Sequence, residues 1–248
     1  MLGLTASEAR HRPAPIEGQK EDKMKEILGG KTLKHVKTIL LCYMVPLALV
    51  LCFMNSASAN YFAGYYYLAS AGSPPSNGVS ASIYTINPTV TGNQMMMQWP
   101  MVIISYTYMY YTQIGYWKGD YTNYALEYFW QTTNSSGFFG GNSSEQSGPA
   151  AGSTHGYSIS KSNSDTHWSL YVDGTLKYTS GPTTVVDYQA FSETTTTAIV
   201  ITNTHFNYLE YKQVNDWNLW DRHVNGSNTP SYTVNQISNY EFTASGGG

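Results

Sequence analysis

The chain has 248 residues, 16 acidic against 13 basic, and a formal net charge of −3 at pH 7. Eight of the 13 Lys and Arg residues lie at or before Lys37, and only Lys118, Lys161, Lys177, Lys212 and Arg222 follow Ala59; the later part is acidic and sparsely charged, which excludes the basic surface that nucleic acid requires. Both cysteines, Cys42 and Cys52, also precede Ala59, so the rest of the chain has no disulfide, no thiol nucleophile and no Cys metal site.

From the N-terminus, the first element is an apolar run, Ile39 to Met54 (ILLCYMVPLALVLCFM), preceded by Lys31, Lys34, His35 and Lys37 and followed by Ala57-Ser58-Ala59. A basic region, a short apolar region and a small-x-small site in that order predict a secretory signal cleaved after Ala59. A membrane-spanning helix needs roughly 20 apolar residues. This run has 16, interrupted by Pro46, so a retained anchor is disfavoured and membrane contact would run only through an uncleaved signal. Met24 opens a basic region of ordinary length and is a candidate start. Residues 1–59 are read as N-terminal extension plus signal peptide, and 60–248 as one domain placed outside the cell, long enough for one full core and too short for two.

In that domain apolar residues come in short alternating runs, the period of half-buried strands. Strands are predicted at Val79–Ile86, Met101–Thr107, Tyr110–Trp117, Tyr124–Gln131, Gly156–Lys161, His167–Val172, Leu176–Thr179, Val185–Phe191, Ala198–Asn203, Phe206–Tyr211 and Tyr232–Ile237. So many short strands separated by turn residues predict an all-β fold, a two-sheet antiparallel jelly-roll sandwich preceded by a signal helix. One hairpin is explicit: Trp168, Leu170 and Val172 alternate, Asp173-Gly174 turns, and Leu176 and Tyr178 return. Asp173 is read as a turn residue rather than an acid or calcium ligand. Asn60–Ser76 is open between a pro-segment and a first strand. Asn134–Thr154 is read as a long exposed loop, and the stretch around Asn215–Asn228 as poor in strand. Asn134, Asn142 and Asn225 stand in glycosylation sequons within these stretches.

The chemistry on offer is limited. His155, His167, His205 and His223 have neither metal-ligand spacing nor a neighbouring GxSxG turn, so no zinc site, no Ser-His-Asp triad and no cofactor are expected. Most carboxylates flank turns, where they are solvated. Glu127 and Glu193 differ, since each lies in or beside an apolar or β-branched strand. On its strand Glu127 shares a face with Phe129 and Gln131, and Tyr128 and Trp130 take the other.

Four runs, GVSASIYTINPTV (Gly78–Val90), YYTQIGYWKG (Tyr110–Gly119), LEYFWQTTNSSG (Leu126–Gly137) and YQAFSETTTT (Tyr188–Thr197), resemble in order and spacing the neprosin-like glutamic peptidases. In that family a β-sandwich carries one acidic residue in an x-x-G-W strand and a second Glu in a later strand. The resemblance puts Gln113 at the first position and Glu193 at the second. Neprosins have Glu where this chain has Gln, whereas the fungal glutamic peptidases, the eqolisins, use a Gln and Glu pair with Gln in a Q-x-G strand. Gln113 therefore fits an active eqolisin-type dyad and also an inactive site. The resemblance implies a secreted, acid-acting endopeptidase with a polypeptide substrate, Glu193 as general base and Gln113 stabilising the oxyanion. Tyr111 and Trp117, on the strand of Gln113, and Tyr128 and Trp130, on the next, are the expected binding aromatics.

A second reading stays open. HWSLYVDGTLKYTSG (His167–Gly181) is similar to a segment of laminin-G and legume-lectin-like sandwiches, which implies a non-catalytic, concanavalin-like surface domain that binds an extracellular glycan or serves as cell-envelope structure.

Overall fold

The computed structural model describes residues 61–68, 76–105, 107, 110–133, 139–145, 147–181, 185–227 and 231–248. The expected signal segment, its cleavage site, both cysteines and the sequon at Asn134 lie outside the described residues.

The described residues form a two-sheet antiparallel sandwich. Its strands are β1 (Tyr61–Leu68), β2 (Ser76–Tyr84), β3 (Met95–Ser105), β4 (Tyr110–Gly119), β5 (Glu127–Thr133), β6 (Phe139–Glu145), β7 (Thr154–Ser160), β8 (Trp168–Val172), β9 (Thr175–Ser180), β10 (Asp187–Thr194), β11 (Ile201–Gln213), β12 (Asp216–Leu219), β13 (Val224–Ser227), β14 (Tyr232–Ser238) and β15 (Glu241–Gly246). The first sheet runs β13-β1-β10-β3-β4-β5-β6 and the second β14-β15-β11-β2-β7-β8-β9, with β12 added beside β11. Consecutive hairpins are interleaved with pairs from distant parts of the chain, β13-β1, β1-β10, β10-β3, β15-β11, β11-β2 and β2-β7, as in a jelly roll.

Alternation puts one face of the central strands between the sheets. From the first sheet come Tyr65, Ile114, Tyr116, Tyr188 and Ala190, and from the second Val79, Ile83, Tyr157, Trp168, Leu170 and Phe206, all fully buried. Phe206 and Phe242 stack at 4.6 Å and 9° across β11 and β15. Much of the tyrosine content is this core rather than a binding surface. A buried phenol needs a partner: the Tyr116 hydroxyl accepts from Ile86 N–H at 3.0 Å and donates to the Tyr84 carbonyl at 3.2 Å, and that of Tyr232 donates to the Ile199 carbonyl at 2.8 Å.

The expected hairpin is β8–β9, with Asp173 and Gly174 both at positive φ (48° and 74°), the conformation for which Asp-Gly is suited. Of the two readings left open for Asn60–Ser76, the strand is found over Tyr61–Leu68, which pairs along its length with β10. Other expectations need correction. The stretch read as a long loop carries β6, and that around Asn215–Asn228 carries β12 and β13. The two strands expected at Ala198–Asn203 and Phe206–Tyr211 belong to one, β11, kinked by a bulge where Asn203 takes φ 48°. Strand β3 starts six residues before the expected Met101, through Pro100.

Trp168 is wholly enclosed and Leu176, on the neighbouring strand, is exposed. Trp168→Ala is expected to cost about 3–5 kcal/mol and Leu176→Ala within about 0.5 kcal/mol, read as urea unfolding midpoints. A second outcome concerns pH. Burial pushes the phenols of Tyr116 and Tyr157 well above the ordinary tyrosine range, whereas the unfolded chain titrates near 10. The folded state keeps protons that the unfolded state releases, so stability is expected to be level up to pH 9 and to fall progressively above about pH 10; unfolding midpoints at pH 8, 10 and 11 check this.

Candidate active site

The first sheet has a second buried face, turned away from the other sheet. On β4 it carries Tyr111, Gln113, Gly115 and Trp117; on β5 Glu127, Phe129 and Gln131; on β3 Met95, Met97, Trp99, Met101 and Ile103; on β10 Asp187, Gln189, Phe191 and Glu193; and on β1 Phe62 and Tyr66. Its apolar members form a cluster separate from the main core.

Strand register arranges these side chains in levels. Asp187, Ile103 and Tyr111 make one, and Gln189, Met101, Gln113 and Gln131 the next. Phe191 lies beside Trp99, with Gly115 and Phe129 level with them on β4 and β5, and beyond come Phe62, Glu193, Met97, Trp117 and Glu127. Gln113 and Glu193 thus share one face of one sheet, with β3 between their strands and one level between them along the strands. Gln113 is 3% exposed and Glu193 5%.

The intervening level holds Glu193 from one side. The Trp99 indole N–H donates to Glu193 Oε2 at 3.0 Å, tying the ring to the carboxylate. Gly115 places no side chain between Gln113 and Trp117, and a Cβ there would fall 1.9 Å from the Gln98 carbonyl oxygen, so the close approach of β3 and β4 requires glycine. Pro100 has no N–H to give to a neighbouring strand, and it stands where the ladder passes from Gln98–Tyr116 to Met101–Gln113. The charge of Glu193 is felt by the phenols of Tyr111 and Tyr66. Tyr111 is pushed up by burial first and then by Glu193, and Tyr66 by burial first and then by Asp187 and Glu193.

Gln113 Nε2 donates to Gln131 Oε1, and Gln189 Nε2 to Asp187 Oδ2 at 3.3 Å. The other end of each glutamine, Oε1, is buried without a hydrogen-bond partner. Two enclosed, unsatisfied amide oxygens on one level are costly in an apolar surround and favour a polar guest. An amide, a carboxylate held by an indole and a water-poor surround are the components of an acid–base site with an oxyanion donor.

Of the expected binding aromatics, Tyr111 and Trp117 lie on this face, with Trp117 stacked on exposed Tyr121 at 6.3 Å and 4°. Tyr128 and Trp130 do not: strand alternation turns them between the sheets, Trp130 into the core and Tyr128 toward Tyr157 and His155. Sequence reasoning missed Gln131, Gln189 and Asp187. Their signal was the same-face alternation in EYFWQ and DYQAFSE, which becomes readable once the strands are placed side by side.

The structure also brings together a serine, a histidine and an aspartate that no motif announced. Ser153 Oγ is 2.8 Å from His155 Nε2, and His155 Nδ1 is 2.6 Å from Asp173 Oδ2. Its surroundings suit a clasp better than a nucleophile. Ser153 Oγ also lies 2.5 Å from the Ala150 carbonyl, which competes for its single proton. The N–H groups of Gly152 and Ser153 are committed to Thr85 and Ala150 carbonyls, and Asp173 Oδ1 accepts from Gly156 N–H. The three side chains tie the turn before β7 to the β8–β9 hairpin. His205 bonds Glu241 at 2.8 Å, and His223 stacks on Tyr65 at 3.9 Å. No group of metal-ligating side chains occurs among the described residues.

No family model and no curated protein matches the chain. Among solved structures it is similar in fold to scytalido-glutamic peptidase in complex with a peptide-based transition state analog, at TM-score 0.55 and 10% identity, over 75% of this chain and 98% of that one. It is likewise similar to SCP-B, a member of the eqolisin family of peptidases, in complex with the tripeptide Ala-Ile-His, at TM-score 0.51 and 10% identity over the same shares. The two-sheet jelly-roll fold resembles that of these peptidases.

Trp99→Phe keeps the ring and removes the N–H donor to Glu193. It is expected to destabilise the protein by about 1–3 kcal/mol, more at pH 7 than at pH 3, because a carboxylate accepts this bond more strongly than a carboxylic acid does. Urea unfolding of parent and variant at both pH values measures the difference.

Proposed function

We propose that the chain is an exported, acid-acting endopeptidase of the glutamic type, with Glu193 as general base and Gln113 as oxyanion donor. The observation that carries the reading is that these two residues, chosen from sequence, lie buried on one face of one sheet, the carboxylate anchored by Trp99. Support comes from the fold shared with two glutamic peptidases whose structures hold peptide-like ligands. Of the two peptidase groups that the motifs resemble, the eqolisin type is favoured by a glutamine at position 113. Export rests on the order of charges, apolar run and small residues across Lys31–Ala59.

The chemistry is that of a single carboxylate. Ionised Glu193 takes a proton from a water molecule as its oxygen bonds to the peptide carbonyl carbon, and the carbonyl oxygen becomes an oxyanion. The Gln113 amide N–H holds that charge in surroundings where few other dipoles compete. Protonated Glu193 then gives its proton to the peptide nitrogen as the C–N bond breaks, and the carboxylate is restored. Tyr111 and Trp117, on the same face of β4 as Gln113, are the side chains that would flank a bound substrate.

Incubation of the whole chain with an unfolded protein between pH 2 and 7 tests this. Cleavage is expected on the acid side, lost in Glu193→Gln and reduced about 100- to 1,000-fold in Gln113→Ala, as for removal of one oxyanion donor. No cleavage at any pH, or equal cleavage by Glu193→Gln, would refute the proposal.

A further inference from the structure

On the second sheet, β2 alternates Gly78, Ser80 and Ser82 with core residues Val79, Ala81 and Ile83, and β7 alternates Gly156 and Ser158 with Tyr157 and Ile159. Register sets Ser80 beside Ser158 and Ser82 beside Gly156. The outer face of these two strands is thus a floor of hydroxyls and bare backbone. The neighbouring strand rises above it. Strand β11 bulges between Asn207 and Glu210, where Tyr208 takes φ 48° and leaves its ring 62% exposed. Trp217 on β12 is 37% exposed, with Lys212 Nζ 5.9 Å from its ring centre. Glu210 lies between the two rings and accepts from Ser80 Oγ at 2.9 Å. The floor and both aromatics line an open cleft of about 260 Å³.

Two features set this cleft apart from an ordinary solvated sheet face. A tyrosine in the left-handed region costs of order 1–3 kcal/mol, and an exposed ring recovers little of that by packing. The neighbouring Trp217 keeps about a third of its surface open, 37%. The strain raises an aromatic face at the rim of a polar trough. We infer that this cleft is a binding site for neutral pyranose oligosaccharides, on which Tyr208 and Trp217 stack and to which Glu210 and the serine hydroxyls hydrogen-bond. Ring faces beside a carboxylate and hydroxyls match a ligand with flat C–H surfaces and many O–H donors. Main-chain groups of the floor are committed to the sheet ladder, so an extended peptide finds no strand to pair with. Glu210 disfavours anionic ligands. The site lies on the other sheet from Gln113 and Glu193 and is independent of the peptidase reading.

The test is titration of the whole chain with β-1,4-linked hexasaccharides of glucose, mannose and galactose, followed by calorimetry and tryptophan fluorescence. Saturable binding of at least one is expected, weakened tenfold or more by each of Tyr208→Ala, Trp217→Ala and Glu210→Ala, and unchanged by Glu193→Gln. Tyr208→Gly supplies a control against misfolding, since it relieves the positive φ and is expected to raise the melting temperature while weakening binding at least as much as Tyr208→Ala does. The inference is overturned if none of the three sugars binds, if binding survives loss of both aromatics, or if an unstructured peptide displaces the sugar from the cleft.

Discussion

The structure depends on a central sheet that is buried on both faces. Strand β10 is enclosed at every residue from Asp187 to Thr194, and β3 from Met95 to Ile104. One face packs against the second sheet. The other surrounds Gln113, Gln189, Asp187 and Glu193 with methionine and aromatic side chains. Polar groups so enclosed must be oriented by neighbours or they destabilise the fold, and the Trp99 bond to Glu193 is the best-defined case. The condition that makes the face costly also makes it suitable for chemistry, because dipoles in a poorly solvated site act on a developing charge with little screening.

Period-two alternation distributes the roles. On β4 the same run supplies Ile114 and Tyr116 to the core and Gln113 and Trp117 to the opposite face. On β2 it supplies Val79, Ala81 and Ile83 to the core and Ser80 and Ser82 to the outer trough. The sandwich therefore offers two chemically different exterior faces, one apolar with enclosed acids and amides, the other hydroxyl-lined with exposed rings.

Much of the fold was legible because it rests on local rules. Asp173-Gly174 defined its hairpin, and the alternation in YYTQIGYW placed Gln113 beside Tyr111 and Trp117. Glu193 stood out as an acid following an apolar strand. The rest depended on non-local contacts. Pro100 disguised the first half of β3, since proline is rare in central strands. The bulge at Asn203 divided β11 in two, and polar or Gly-rich strands such as β6 and β13 carry almost no apolar period. Gln189 and Asp187 join the site only through the β10–β3–β4 register. Ser153, His155 and Asp173 meet only because β7 pairs with β8. Tyr208 was unremarkable in sequence, because its significance lies in a backbone angle.

The most direct measurement of the central claim is a crystal structure of the protein at acid pH, at a resolution that shows ordered solvent. One water is expected within hydrogen-bond distance of both the Glu193 carboxylate and the Gln113 side-chain amide, with Trp99 still donating to Glu193. A Gln113 amide and a Glu193 carboxylate that hold separate waters, with side chains of the Trp99 level closed between them, would contradict it.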